Sequence, residues 1–190
     1  GNSALSSGGG IFSYDGSLSI IDSNIANNDA ASNTLFSFEE NAGGGIYSST
    51  GLTLTNSSVS RNSSERGGGI FVVGSNSVEI SDSTLENNFS YNGSGGGIEI
   101  DGSSTVGIST STISNNTAST NSLGGGGITA NGSGVVEISA SIISSNTAVL
   151  NDDTLPVNTG GGGIEINDSR EVRISTSTIS NILSLAMVVA

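Results

Sequence analysis

The stretch Val106-Gly107-Ile108-Ser109-Thr110-Ser111-Thr112-Ile113-Ser114-Asn115-Asn116 alternates apolar and polar residues, and its pattern recurs along the chain. Its first apolar position belongs to a column of Leu18, Leu52, Val78, Val106, Val136 and Val172. The second column is Ile20, Leu54, Ile80, Ile108, Ile138 and Ile174. A serine column follows: Ser23, Ser57, Ser83, Ser111, Ser141 and Ser177. The third apolar column is Ile25, Val59, Leu85, Ile113, Ile143 and Ile179. An asparagine column closes the unit at Asn28, Asn62, Asn88, Asn116 and Asn146, until Ile182 breaks it. Upstream of each unit stands Gly-Gly-Gly-Ile, ending at Ile11, Ile46, Ile70, Ile98, Ile128 and Ile164. Self-similarity with fixed spacing inside each unit, and 24–36 residues from one Gly-Gly-Gly-Ile to the next, is the signature of a repeat architecture.

Period-two alternation marks strands with one buried face. Each repeat offers three such runs: one from the glycine triplet, one ending at the second apolar column, one around the third. The second and third columns lie an odd number of residues apart, so strict alternation would send them to opposite faces. A bend near the serine column returns both to one core. The expected fold is therefore all-β: a parallel β-helix, or solenoid, of about six coils with three short strands each, forming a single domain over 1–190. One coil cannot bury its own apolar face, but stacking at about 4.8 Å lays like on like. Stacked Asn and Ser would satisfy the backbone groups of the bends. The glycine triplets answer a backbone need, positive φ and close approach at a tight corner. A phosphate-cradling loop would require a following helix and a lysine, and the pattern has neither. Asp15-Gly16, Asp101-Gly102 and Asn131-Gly132 fall at the first corner, where Asx-Gly is turn chemistry.

Composition narrows the function. A polar chain with 29 Gly, one Pro, five Phe, three Tyr and no Trp would ordinarily suggest disorder, but the fixed apolar columns argue for order. Net charge is −13, with four arginines and no lysine, so no basic stripe exists for nucleic acid or anionic lipid. Cysteine and histidine are absent, which removes disulfides, thiolate metal sites and the commonest catalytic base and metal ligand. The apolar run 185–190 is too short to cross a bilayer, so no membrane insertion is expected of this segment.

Gly-Gly-Gly-Ile-(Phe/Tyr) followed by Val-x-Ile-Ser-x-Ser-x-Ile-x-x-Asn resembles the right-handed β-helix repeats of polymorphic outer-membrane proteins and other autotransporter-like surface proteins. Those repeats pair a Gly-Gly-x-Ile element with a Phe-x-x-Asn element. Here the second element reads Ile/Val/Leu-x-x-Asn, as in Val59-Ser60-Arg61-Asn62. The resemblance covers nearly the whole chain and is specific for fold more than function, since pectate-lyase-like enzymes share the architecture. It implies a right-handed coil in an extracellular or cell-surface protein, often an adhesin or passenger region.

Several places are candidate sites. Variable segments at 29–42, 63–66, 89–94, 117–124 and 147–160 leave from one corner, where solenoids commonly carry binding loops. The residue after each Gly-Gly-Gly-Ile should face outward: Phe12, Tyr47, Phe71, Glu99, Thr129 and Glu165. The three aromatics could form a sugar-binding platform, or a ladder that only stabilises neighbouring coils. Glu99 and Glu165 would stand roughly 9.6 Å apart, at the edge of the separation used by inverting glycosidases, with Asp101, Asp152 and Asp153 nearby. Neither His nor Lys is present to complete such a site, so no catalytic residue is assigned and no enzyme is expected. Arg173 follows Glu137 in an outward column, which suggests an ion pair between them. Calcium is the cation an acidic exported solenoid would take, but the Gly-Gly-x-Gly-x-Asp motif is missing. No metal ligand or cofactor is therefore assigned. Asn-x-Ser/Thr sequons occur at Asn56, Asn62, Asn88, Asn92, Asn115, Asn131 and Asn167, as a chain rich in these residues supplies by chance.

Asn2 fits the asparagine column of a preceding coil, and the last repeat passes into the apolar tail 183–190. That tail is expected either to add a strand or to contact a neighbouring subunit. Uncapped coil ends suggest a piece of a longer solenoid or copies stacked head to tail. The expected function is a non-enzymatic extracellular structural protein: a surface stalk or adhesin, or a self-assembling fibre. Its partners would be copies of itself and surface glycans. The alternative is a carbohydrate-binding or polysaccharide-degrading β-helix protein.

Overall fold

Alternating short runs separated by corner residues fold here into a solenoid with four faces. The computed structural model describes residues 1–31, 41–120, 124–150 and 160–186. Among these residues every regular element is a strand, and every strand pairing is parallel. The first sheet begins at the glycine triplets: Ile11–Ser13, Ile46–Ser48, Ile70–Val73, Ile98–Asp101, Ile128–Asn131 and Ile164–Asn167. The second holds Leu18–Ile21, Leu52–Thr55, Ser77–Ser81, Thr105–Ser109, Val135–Ser139 and Glu171–Ser175. The third holds Asn24–Ala26, Ser58–Ser60, Thr84–Glu86, Thr112–Ser114, Ile142–Ser144 and Thr178–Ser180.

The fourth sheet corrects the expectation of three strands per coil. Its seven strands are Ser3–Ala4, Asp29–Ala30, Ser63–Ser64, Phe89–Ser90, Thr117–Thr120, Thr147–Leu150 and Leu183–Ala186. They lie just past the asparagine column, at the start of the segments read as variable. Their inward column is Ala30, Ser64, Ser90, Ala118 and Ala148, each buried. Such small side chains leave no apolar alternation in the sequence. The start of the tail, Leu183–Ala186, is the last strand of this sheet, and 187–190 lie outside the described residues.

The apolar columns stack in register. Ile80, Ile108 and Ile138 lie one above another in the second sheet, as do Leu85, Ile113 and Ile143 in the third. These residues are fully buried and form one continuous core. The parity problem is solved by a single left-handed residue before each serine: Asp22, Asn56, Asp82, Thr110, Ala140 and Thr176 have φ of 47–51°. One residue at positive φ turns the chain without consuming a strand position. A second left-handed residue precedes the asparagine column, from Asn27 to Asn181.

At the first bend the serine hydroxyl does two jobs. Ser83 Oγ donates to the Ser81 carbonyl at 2.7 Å and accepts the Ser57 N–H of the previous coil at 3.1 Å. Ser57, Ser111, Ser141 and Ser177 repeat both bonds, while Ser23 Oγ donates to the Ile21 carbonyl and the Ser23 N–H donates to Ser57 Oγ. At the second bend each asparagine amide reaches one coil onward: Asn28 to Asn62, Asn62 to Asn88, Asn88 to Asn116 and Asn116 to Asn146, at 3.0–3.1 Å. Asn2 joins the same ladder by donating to Asn28 Oδ1. Two of the sequons, Asn62 and Asn88, thus have both amide hydrogens engaged inside the fold.

The ladder explains the glycines. Gly67 opens its triplet at φ +57°, and a Cβ on Gly69 would stand 2.5 Å from the Gly97 carbonyl oxygen and 2.9 Å from Asn88 Cγ. No side chain fits between the asparagine and the strand it braces.

Candidate functional site

The residue after each Gly-Gly-Gly-Ile does leave the core on the outer side of the first sheet, in one register: Phe12, Tyr47, Phe71, Glu99, Thr129, Glu165. It is not exposed along its length, however. Phe12 is 54 % exposed and Tyr47 half-buried, whereas Phe71 is 4 % exposed, Glu99 1 %, and Thr129 and Glu165 are buried. Alternation says which way a side chain leaves a strand; it is silent on whether neighbouring chain folds back over that side. Here the segments entering the glycine triplets do so. The Gly125 N–H donates to Thr129 Oγ1 at 2.7 Å, the Gly161 N–H to Glu165 Oε2 at 3.4 Å, and Arg66 crosses Phe71.

The aromatic rings form a ladder. Phe12 and Tyr47 stack with centroids 4.8 Å apart and 12° between planes, and Tyr47 and Phe71 follow at 5.7 Å and 23°. Tyr14, just beyond the first strand of this sheet, lies 6.4 Å from Phe12 and within 9° of parallel. Parallel offset rings at these separations attract beyond their simple burial.

Arg66 closes the other side of the ladder. It directly precedes Gly67, whose left-handed turn carries the side chain across the sheet. Its guanidinium carbon sits 4.8 Å over the Phe71 ring. Its Nε donates to Glu99 Oε1 at 3.0 Å, its Nη2 bonds the same oxygen, and Nη2 also meets Asp101 Oδ2 at 2.5 Å. A carboxylate as buried as Glu99 needs such a partner, because an uncompensated buried charge is strongly destabilising. Asp101 Oδ1 in turn accepts from Asn131 Nδ2 at 2.9 Å, and Asn131 Oδ1 accepts from Asn167 Nδ2, which also donates to Glu165. A polar ladder thus continues the aromatic one along the same sheet.

Between the two runs a cleft of about 520 Å³ is bordered by Phe12, Tyr14, Tyr47, Phe71, Arg66 and Asp101. Sequence reasoning named the aromatics but not Tyr14 or Arg66. The available signal was an arginine flanking a glycine triplet one coil before an outward acid. Glu99 and Glu165 share the outward column with Thr129 between them, each tied into its own hydrogen bonds. Asp152 and Asp153 lie outside the described residues. Among the described residues no group of three His, Cys, Asp or Glu could hold a metal ion.

Two further groups complete the electrostatics. Arg173 pairs with Glu171 of its own strand at 2.6 Å, correcting the expected partner Glu137, its neighbour across the sheet. An i, i+2 pair on an exposed strand face competes directly with the cross-strand one. On the fourth-sheet side, Tyr91 donates to the Ala30 carbonyl at 3.3 Å. Burial, then the charges of Glu65 and Asp29, push its hydroxyl up to about 12.

Neither curated proteins nor solved structures return a match to this chain. The model of the right-handed β-helix region matches residues 1–179, nearly the whole sequence, and agrees with the parallel coils described above. This protein belongs to the right-handed β-helix family.

Proposed function

We propose that the chain is a non-enzymatic structural element of an extracellular or cell-surface protein, the shaft of a stalk or adhesin. The observation that carries this reading is the asparagine ladder from Asn2 to Asn146, in which each amide up to Asn116 bonds the asparagine of the next coil. A ladder of this kind, beside a stacked Ile/Val/Leu core, cross-links coils along one axis and suits a stiff spacer. The chemistry for turnover is thin: His, Lys and Cys are missing from the sequence, and Glu99 is committed to Arg66. No cofactor is assigned, and a chelator is expected to leave thermal melting unchanged.

The same stacking rule allows a fibre. Val172, Ile174 and Ile179 in the last full coil are 45–47 % exposed, and another coil of the same pattern would cover them. That coil can come from continuing chain or from a second copy stacked head to tail. Electron microscopy separates these forms: a fibre would have an axial repeat of roughly 29 Å, from coils at the strand spacing. Two tests address the main reading. Surface proteolysis and antibody labelling of intact cells should reach this segment. A screen against neutral and acidic polysaccharides should give no products; turnover abolished by Glu99→Gln or Glu165→Gln would overturn the non-enzymatic reading.

A further inference from the structure

The cleft over the first sheet combines two surfaces that a sugar ring needs together. A pyranose offers C–H faces that pack on aromatic rings and a rim of hydroxyls that take paired donors and acceptors. Phe12, Tyr14 and Tyr47 supply nearly parallel rings at 4.8 and 6.4 Å, and the two outermost, Phe12 and Tyr14, are 54 % and 65 % exposed. Arg66 and Asp101 stand across the cleft with side chains 24 % and 26 % exposed. Both are already held: Arg66 by Phe71 and the buried Glu99, Asp101 by Arg66 and Asn131. Groups fixed before binding lose little rotamer freedom on binding, which favours recognition of weakly attractive hydroxyls.

Charge narrows the class. One guanidinium faces two carboxylates at the site, and the whole chain carries −13. Polyuronates and sulfated glycans are repelled by such a field. A cationic ligand would have to displace Arg66 from Glu99, which is almost wholly buried beneath it. We propose that this cleft binds a neutral saccharide, with one ring packed on the Phe12–Tyr14–Tyr47 rings and its hydroxyls on Arg66 and Asp101. The inference rests on the non-enzymatic reading in one respect, that the sugar is held and released unchanged.

The test is calorimetric titration of the full chain with neutral hexasaccharides built from glucose, galactose or mannose, and with hexagalacturonate as the anionic counterpart. Products are analysed after each titration. At least one neutral series should bind saturably and hexagalacturonate should not. Phe12→Ala and Tyr14→Ala, both at exposed positions, should each weaken binding about tenfold. Asp101→Asn should weaken it as well, while Thr53→Ala on the second sheet should leave it unchanged. Far-UV circular dichroism of each variant confirms the fold. Absence of binding to every neutral series, binding confined to hexagalacturonate, or binding indifferent to Phe12→Ala and Tyr14→Ala would each overturn the proposal. Binding followed by cleavage would instead sink the non-enzymatic reading and leave the site assignment standing.

Discussion

Replacing Asn88 with alanine removes the middle of the asparagine ladder. Its Nδ2 donates to Asn116 Oδ1 at 3.0 Å and to the Val59 carbonyl at 2.9 Å. Its Oδ1 accepts the Asn62 backbone N–H at 3.0 Å and the Asn62 amide at 3.1 Å. Asn116 Oδ1 keeps the Asn88 backbone N–H, and Asn62 Nδ2 keeps the Ile25 carbonyl, so those two ends remain satisfied. The Asn62 N–H loses its ladder acceptor and the Val59 carbonyl loses a donor, both in a region closed to water. A buried polar group left unsatisfied costs about 1–3 kcal/mol, so the substitution should cost about 2–6 kcal/mol. Asn88→Leu should cost at least as much, because it keeps the heavy-atom count but replaces two planar polar atoms with two bulkier methyls that make no hydrogen bonds and press on Gly69. Asn2→Ala, at the exposed end of the ladder, should cost under about 1 kcal/mol. Urea unfolding followed by far-UV circular dichroism measures the totals, and amide hydrogen exchange localises them to the Asn62 N–H. Solenoids can unfold coil by coil, so the exchange data arbitrate where the urea transition broadens. A loss under about 1 kcal/mol for Asn88→Ala, with the Asn62 N–H still protected, would refute the ladder as the cross-link between coils.

Other substitutions probe separate parts of the structure. Ala140 holds φ +47° without a side chain that favours it, so Ala140→Asn should stabilise by about 0.5–1 kcal/mol in the same unfolding assay. Arg66→Ala leaves Glu99 buried without its guanidinium and should cost about 2–3 kcal/mol, less than a fully buried pair because Arg66 is partly exposed. The double variant with Glu99→Gln should recover part of that loss. Tyr91 titrates near 12 in the fold against about 10 when unfolded, so its contribution is complete below pH 10 and fades as pH rises toward 12. Melting temperatures recorded across that window should fall more steeply for the parent chain than for Tyr91→Phe.

Legibility followed side-chain size and position. The Ile80–Ile108–Ile138 and Leu85–Ile113–Ile143 columns were readable because large apolar residues at a fixed register have no other use in so polar a chain. The asparagine and serine columns were readable for a related reason: one hydrogen-bonding residue recurs where a turn must be satisfied. The fourth strand was not, because Ala30, Ser64, Ser90, Ala118 and Ala148 give no apolar contrast within runs as short as two residues. The outward direction of Phe71 and Glu99 was legible and their burial was not, since it depends on Arg66 folding across the sheet. The ion pair of Arg173 was misassigned because two acidic neighbours, Glu137 and Glu171, compete at similar reach.

The fourth face, which stacks small residues in register, separates this coil from a three-sided one. Methyl-resolved NMR on the intact chain tests it most directly, through contacts between Ala118 and Ala148 on that face and between Ile108 and Ile138 on the second. Strong contacts within both pairs, with slow amide exchange from Thr117 through Thr120, are predicted. Contacts between Ile108 and Ile138 alone, with free exchange across Thr117–Thr120, would contradict the fourth face and return the molecule to a three-sided coil with loose connections.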